Sequence, residues 1–163
     1  MKLSNKIFIV TGSGTGIGKA IAKLCVKEGA QVVINDKNAA LANLTVEELG
    51  SENAVPHIRD LTEDGCPEEL VALAKERFGK LDGLVNNAAF VTWSNLDSTD
   101  RDYFRKVLEV NTIAPSCPNP SGSSRVEGKW GQRGKYWQCE CPLRGTHTAR
   151  LLRFQRGADH AHP

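Results

Sequence analysis

At 163 residues, with 40% hydrophobic and 25% charged residues, the sequence has the size and composition of one soluble globular domain. The net charge of +2 is unevenly distributed, because residues 1–116 carry 13 basic and 16 acidic side chains while residues 117–163 carry 8 and 3. No apolar run approaches the roughly 18 residues of a membrane-spanning helix, so we expect no contact with a membrane.

The N-terminus and the cysteines indicate the cellular compartment. The first residues, MKLSNKIFIV, lead directly into a strand pattern without a signal-peptide cleavage site. Five cysteines, an odd number with no regular spacing, are typical of reduced thiols rather than of a disulfide framework. We therefore expect a cytoplasmic protein.

Strand and helix patterns alternate through residues 1–116. Short apolar runs predict buried strands, and amphipathic stretches, three of which end at glycine, predict the helices between them. In the first helix an apolar stripe consists of Ile17, Ile21, Leu24 and Cys25. The order predicts an α/β fold with a parallel sheet covered on both faces. In chain order the predicted elements are a strand at 6–10, a helix at 16–28, a strand at 31–35, a helix at 38–50, a strand at 54–58, a helix at 66–79, a strand at 81–88 and a helix at 97–111.

The regular pattern stops after Pro115. Residues 117–163 are rich in Pro, Gly, Ser and Arg, and they show neither a helical stripe nor strand-like alternation of useful length. Their net charge is +5. We predict a basic, irregular tail that supplies no fifth strand to the sheet.

A glycine-rich turn joins the first predicted strand to the first helix. The stretch VTGSGTGIGKA fits neither G-x-G-x-x-G nor a P-loop, because Ser13 and Ala20 occupy the positions where a P-loop has glycine and a hydroxyl. It fits T-G-x-x-x-G-I-G, which begins at Thr11. Glycines at such a turn let the backbone approach a pyrophosphate, and the helix N-terminus offers unpaired N–H groups.

An acidic residue follows the second predicted strand. Asp36 lies 18 residues after Gly18, where a carboxylate accepts hydrogen bonds from an adenosine ribose and repels a 2′-phosphate. The pattern favours NAD over NADP as cofactor, although Lys37 weakens this preference. The alternative interpretation is a glycine-rich turn followed by a solvated aspartate.

These residues, together with NNAA at 86–89 and VNTIAP at 110–115, resemble the short-chain dehydrogenase/reductase family over residues 1–116. The resemblance implies an incomplete Rossmann-like, doubly wound parallel sheet of about four βα units. It assigns the pyrophosphate to the glycine loop, and it gives Asp60 and Leu61 of HIRDLTE a contact with the adenine. The residues implied to bind the cofactor are Gly12, Ser13, Thr15, Gly16, Ile17, Gly18, Asp36, Asp60, Leu61, Asn87 and Ala88.

The resemblance also concerns catalysis. Ala89 stands where the family's NNAG motif has glycine, and Asn111 matches the asparagine of the family's proton relay. The alternative for Asn111 is a helix-ending residue that satisfies backbone groups. In the family a serine holds the substrate carbonyl, and about thirteen residues later a Tyr-x-x-x-Lys pair moves the proton. This sequence contains no such pair, because Val107 follows four residues after Tyr103 and Glu140 follows four after Tyr136.

Reading the tail one nucleotide later gives a different sequence. CPNPSGSS then permits VLTQAALP, KYWQCEC permits NIGSVSA and LLRFQRGA permits YSASKGAL, which look like successive segments of the family. The shifted serine falls at the position of Gln138, the tyrosine at Leu151 and the lysine at Gln155. We hypothesise that a frameshift near Ser116, of one extra nucleotide or two lost, replaced the catalytic half.

Two other interpretations of the tail carry less support. A zinc site is disfavoured by the C-x-C spacing and the missing second cysteine pair, and its candidate ligands are Cys139, Cys141, His147, His160 and His162. The arginines with Trp130, Tyr136 and Trp137 could contact nucleic acid, but a basic segment without a fold is usually only solvated. We predict neither a metal site nor nucleic-acid binding.

The sequence thus supports two hypotheses about function. The first is an NAD-dependent oxidoreductase that interconverts a secondary alcohol and a ketone, inactive as given because the serine, tyrosine and lysine are missing. The second is a non-catalytic dinucleotide-binding fragment. The expected partners are NAD(H) and, only in the restored frame, a small alcohol or ketone; the family is usually tetrameric, through elements missing from this chain.

Overall fold

The computed structural model describes residues 1–91 and 100–116 and the backbone of residues 137–138. Five strands form one parallel sheet in the order β3-β2-β1-β4-β5. The strands are β1 (Ile7–Thr11), β2 (Gln31–Asn35), β3 (Ala54–His57), β4 (Gly83–Asn86) and β5 (Trp137–Gln138). The helices are α1 (Gly16–Lys27), α2 (Ala39–Leu49), α3 (Cys66–Phe78), α4 (Arg101–Leu108) and α5 (Ala114–Ser116), and a π-helical stretch (Glu109–Ile113) joins the last two.

Helices cover both faces of the sheet. Side chains alternate along each strand, so Val10 and Ile34 face α1 and α2 while Ile9 and Val33 face α3. All four are at most 1% exposed, and burial of such a side chain stabilises the fold by about 1.5–3 kcal/mol. The predicted α/β architecture of about four βα units is therefore confirmed.

The direction of winding reverses between β1 and β4. The chain runs from β1 through β2 to β3 on one side and then returns through α3 to place β4 on the other side of β1. In open parallel sheets a crevice forms at such a reversal, at the carboxyl ends of the strands. The fold therefore places the glycine turn after β1 at the usual position of a ligand site.

The structure differs from the sequence prediction in the fifth strand and in the buried face of α1. The tail does supply a fifth strand, of two residues, because Trp137 and Gln138 pair with Val85 and Asn86 at the open edge of β4. In α1 the buried residues are Gly18, Ala22 and Cys25, whereas Ile17 and Leu24 of the predicted stripe are exposed. Small side chains face the sheet there because the glycine turn brings α1 close to it.

The fourth helix also continues beyond its predicted end at Asn111. After α4 the amide of Ala114 donates to the carbonyl of Glu109, five residues back, and the helical path extends to Ser116. Pro115 has no N–H to donate, which favours a change of helical hydrogen bonding nearby. At the other end, the Asp100 carboxylate accepts from the Tyr103 amide and caps α4, and predicted residues 97–99 lie outside the described part.

Candidate functional site

A cleft of about 850 Å³ opens at the carboxyl ends of β1, β2 and β4. The glycine turn forms its floor, the ends of β2 and β3 form one wall and α4 forms another. The residues that line it are Gly12, Thr15, Asn35, Asp36, Lys37, Arg59, Asp60, Leu61, Thr62, Asn87, Ala88, Ala89, Phe90, Asp102, Arg105, Lys106, Leu108, Glu109, Val110 and Ile113.

Close backbone packing explains two glycines of the turn. A Cβ on Gly18 would lie 2.2 Å from the carbonyl oxygen of Gly12 and 2.5 Å from the side-chain amide of Asn87. A Cβ on Gly12, whose φ is +61°, would lie 2.8 Å from the Cα of Ala88. Only glycine at both positions lets α1 and β4 approach the turn this closely.

The N-cap residue of α1 does not cap the helix with its own side chain. Thr15 occupies the N-cap position in extended conformation, and its hydroxyl makes no capping hydrogen bond. Apart from its chain neighbours and its own helix backbone, a Cβ on Gly16, the first helical residue, would meet no atom of the described residues within 4 Å. The helix therefore presents unpaired N–H groups and its positive dipole end to open space beside the cleft, an arrangement that fits a pyrophosphate.

Asp36 holds the glycine turn from the end of β2. One carboxylate oxygen accepts from the amide of Gly14 at 3.0 Å, and the other accepts from the amide of Asn38 at 3.0 Å. The carboxylate thus fixes the glycine turn to the end of β2 while it lines the cleft. Its remaining lone pairs can accept from the hydroxyl groups of a ribose.

The loop after β3 forms the neighbouring wall. Asp60 accepts from the amide and the hydroxyl of Thr62, at 3.1 and 2.9 Å. Partial burial by itself raises the pKa of Asp60, but the hydrogen bonds from Thr62 outweigh it and hold that pKa below its ordinary value. Lys37 lies 4.0 Å from the same carboxylate. Asp60 is therefore ionised at neutral pH and keeps this loop in a defined turn next to Leu61.

The NNAA motif holds the glycine turn from the β4 side. The side-chain amide of Asn87 donates to the carbonyls of Thr11 and Gly12, at 2.9 and 3.0 Å. In return, the hydroxyl of Thr11 accepts from the backbone amides of Asn87 and Ala88, both at 3.0 Å. These four bonds lock the ends of β1 and β4 together at the floor of the cleft.

Asn111 holds the next residues of the same segment. It lies in the π-helical stretch, where its side-chain oxygen accepts from the amide of Phe90 at 2.7 Å and its side-chain nitrogen donates to the carbonyl of Phe90 at 3.0 Å. Lys106 of α4 lies 4.8 Å from the centre of the Phe90 ring. The α4 wall is thus attached to the β4 loop, and Asn111 reaches the cleft through Phe90.

The structure brings most of the sequence-predicted residues together. Seven line the cleft: Gly12, Thr15, Asp36, Asp60, Leu61, Asn87 and Ala88. Four others do not. The Ser13 side chain is fully buried and donates to the carbonyl of Val10 at 2.6 Å. Gly16 and Gly18 contribute backbone, and the Ile17 side chain is 63% exposed.

Sequence reasoning missed part of the lining. No sequence motif marks Asn35, Arg59 or the residues of α4, because strand order and helix packing bring them to the cleft. Thr62 did carry a local signal, since an aspartate followed two residues later by a hydroxyl side chain is typical of a turn closed by its own side chain.

Comparison with known proteins identifies the family. The model of the short chain dehydrogenase family matches residues 6–117. This chain belongs to the short-chain dehydrogenase family. An uncharacterized oxidoreductase of Thermotoga maritima is 37% identical over 118 residues, which cover 71% of this chain and 46% of that protein. L-fucose dehydrogenase of Mus musculus is 38% identical over 113 residues, which cover 69% of this chain and 41% of that protein.

A solved structure resembles this chain in both sequence and fold. The 3-ketoacyl-(acyl-carrier-protein) reductase from Brucella melitensis, complexed with NADH, is 33% identical with a TM-score of 0.65 and covers 69% of this chain and 46% of that chain. The chain spans about half the length of the curated relatives it matches.

The remaining sequence predictions concern the tail. Several predicted positions of the tail lie outside the described residues. They are the positions of the shifted tyrosine and lysine at Leu151 and Gln155, the cysteine and histidine candidates for zinc, and the arginine-rich segment. Within residues 1–91 and 100–116, no group of three or more His, Cys, Asp or Glu side chains could hold a metal ion. In the same part of the chain, no helix is long and apolar enough to cross a membrane.

Proposed function

We propose that this chain binds NAD(H) in the cleft and does not turn over substrate. The observation that carries the proposal is the start of α1, where the N-cap side chain makes no capping bond, beside a cleft that the Asp36 carboxylate also lines. A dinucleotide needs these two features at once, since its pyrophosphate is anionic and its ribose hydroxyls are hydrogen-bond donors.

The residues of this chain take separate roles in holding the dinucleotide. The backbone around Gly16 binds the pyrophosphate, Asp36 accepts from the adenosine ribose, and Asp60 with Leu61 borders the adenine. Asn87 and Ala88 border the part of the cofactor nearest β4. When bound, the nicotinamide ring supplies or accepts a hydride; the protein's part is to orient the dinucleotide and to shape the cleft.

NAD is preferred over NADP because the cations beside Asp36 are already paired. Arg59 forms ion pairs with Glu63 and Glu69, and these two carboxylates raise the pKa of its guanidinium. Lys37 lies against Asp60. A 2′-phosphate next to the Asp36 carboxylate would meet like charge while these cations stay engaged.

We attribute the absence of turnover to the missing catalytic residues. Asn111 matches the family's relay position, but no Tyr-x-x-x-Lys pair stands in the sequence to exchange a proton with a substrate oxygen. In the restored frame we propose an oxidoreductase that interconverts a secondary alcohol and a ketone. In the present frame, we propose a chain that binds the dinucleotide and does not catalyse a reaction.

We attribute the loss to a frameshift near Ser116. The positions of Gln138, Leu151 and Gln155 have the spacing that the family requires for serine, tyrosine and lysine. Gln138 lies in the two-residue strand β5, which pairs with β4. Sequencing the gene tests the frameshift. Codons at Leu151 and Gln155 that cannot yield Tyr and Lys when read one nucleotide later would contradict it.

Binding and turnover are measured on the purified full chain. Isothermal titration with NAD⁺ and with NADP⁺ at about pH 7.5 should give binding that is tighter for NAD⁺. Incubation with NAD⁺ and a panel of secondary alcohols should give no NADH absorbance. Turnover would refute the loss of catalysis, and absence of NAD⁺ binding would refute the binding function.

A further inference from the structure

A buried asparagine that borders the cleft and a histidine behind it join the ends of β2 and β3. Asn35 is 1% exposed and His57 is 8% exposed. The side-chain nitrogen of Asn35 donates to the carbonyls of His57 and Arg59, at 3.3 and 3.1 Å, and lies 3.3 Å from Nδ1 of the His57 ring. These contacts hold the segment 57–59, which leads directly into Asp60 and Leu61 of the cleft.

The two backbone carbonyls determine the protonation state of the ring. They accept hydrogen bonds only, so the NH₂ end of the Asn35 amide must face them and therefore also faces Nδ1. Nδ1 must then be the unprotonated nitrogen, sharing the two Asn35 hydrogens with the carbonyls, and the ring hydrogen is on Nε2, 3.5 Å from the Glu69 carboxylate. A proton added at Nδ1 would turn Nδ1 into a hydrogen-bond donor that faces the NH₂ donor of Asn35.

Two charged groups of the described residues face this ring. Glu69 of α3 favours the imidazolium form, and Arg59 of the loop disfavours it. Burial outweighs the carboxylate and lowers the pKa of His57 below its ordinary value of 6.5. The imidazole is therefore neutral at neutral pH and becomes charged only under acidic conditions.

We propose that neutral His57 is a positioning residue for the adenosine side of the cleft, and that its protonation releases residues 57–61 and weakens dinucleotide binding. The proposal rests on the NAD-binding function proposed above. When Nδ1 gains a proton, Asn35 must turn away, and the carbonyls of His57 and Arg59 lose a donor in a buried place. Asp60 and Leu61 then lose their fixed position.

The test compares the pH dependence of NAD⁺ affinity in three forms of the full chain. As the pH falls from about 7.5 through the pKa of His57, located by following the His57 ring by NMR, we expect the unsubstituted chain to lose affinity by roughly 2- to 10-fold, the equivalent of one net hydrogen bond. His57→Asn places an amide oxygen near the position of Nδ1, which accepts at every pH, so its affinity should stay constant over this range. Glu69→Gln removes the carboxylate that favours the imidazolium, so the loss should move to lower pH.

Nitrogen-detected NMR gives a second readout that does not depend on the cofactor. At about pH 7.5 the His57 ring should carry its hydrogen on Nε2, and the side-chain NH₂ signals of Asn35 should shift as His57 titrates. A hydrogen on Nδ1 would overturn the inference.

The outcomes also separate this inference from the function on which it rests. No NAD⁺ binding at pH 7.5 removes both proposals. Binding of equal strength with the His57 ring neutral and with it protonated, or the same pH profile in His57→Asn as in the unsubstituted chain, overturns the role of His57 alone.

Discussion

Three asparagine side chains hold the loops of the cleft through backbone atoms. Asn35 fixes the segment after β3, Asn87 fixes the glycine turn, and Asn111 fixes Phe90. A carboxamide suits this task because it carries a donor and an acceptor at one end, as a peptide group does. The walls of the site are therefore positioned by single residues, each of which can be removed separately.

Asn111→Ala should loosen the loop that carries Phe90. The substitution leaves the partly buried amide and carbonyl of Phe90 without partners, and we expect it to destabilise the protein by about 1–3 kcal/mol. It should also weaken NAD⁺ binding. Urea unfolding and isothermal titration measure the two effects.

Thr112→Ala is the matched control for Asn111→Ala. Thr112 is the next residue of the same π-helical stretch and is exposed, so its truncation should leave both quantities unchanged. Equal effects of the two substitutions would contradict the positioning role of Asn111.

At the scale of secondary-structure elements, an acidic residue joins the starts of β1 and β4. Asp82 precedes β4, and its carboxylate accepts from Nζ of Lys6 at 2.9 Å and from the amide of Ile7 at 3.0 Å. Lys80 lies 3.1 Å from the same carboxylate. Partial burial raises the pKa of Asp82, but these partners outweigh it and lower that pKa below its ordinary value of 3.8. The ionised form therefore stabilises the central strand pair.

Asp82→Asn should destabilise the protein by about 1 kcal/mol at neutral pH, because the amide keeps an acceptor for Ile7 but loses the charge that pairs with the lysines. Since the folded-state pKa is lowered, this contribution is present above about pH 4 and is lost as the pH falls through that pKa. Urea unfolding should show the two proteins converging in acid.

The exposed pair of Asp102 and Arg105 serves as the control for Asp82→Asn. Asp102 is 85% exposed, so Asp102→Asn should give no measurable change at either pH. A difference between Asp82→Asn and the unsubstituted protein that persists in strong acid would argue against the charge as its cause.

At the scale of the whole molecule, the sheet is asymmetric. β2 and β1 are buried along most of their length, whereas every residue of β4 is only half-buried. On its outer edge β4 pairs with two residues of β5 and no further described residue. Among the described residues, part of this edge of β4 has no strand partner, and an unpaired edge can pair with another chain.

Restoring the shifted frame should repair this edge and the chemistry together. A gene read one nucleotide later after Ser116, with codons that give serine, tyrosine and lysine at positions 138, 151 and 155 as we propose, should form NADH from a secondary alcohol. It should also raise the melting temperature, because more of β4 becomes covered. Replacing only the restored tyrosine with phenylalanine should abolish NADH formation and keep the gain in melting temperature, which separates catalysis from folding.

The elements and their order could be read from the sequence because their causes are local. Apolar runs such as QVVIN and stop signals such as Gly50 and Gly79 act over a few residues, and the structure has β2, α2 and α3 within one or two residues of the expected bounds. The glycine turn and Asp36 were recognisable for the same reason, since backbone approach and a ribose acceptor require particular residues at short spacing.

Three features depended on the tertiary structure. The contact of Asn35 with His57 joins residues 22 positions apart, and that of Asn111 with Phe90 joins residues 21 positions apart. The buried face of α1 is Gly18, Ala22 and Cys25 rather than the longer apolar stripe, because the distance between helix and sheet selects small side chains. The sequence by itself determined the family, the parallel sheet and the glycine-rich turn. The walls of the cleft were decided only by packing, because strand order and helix contact bring distant residues together without leaving a local pattern.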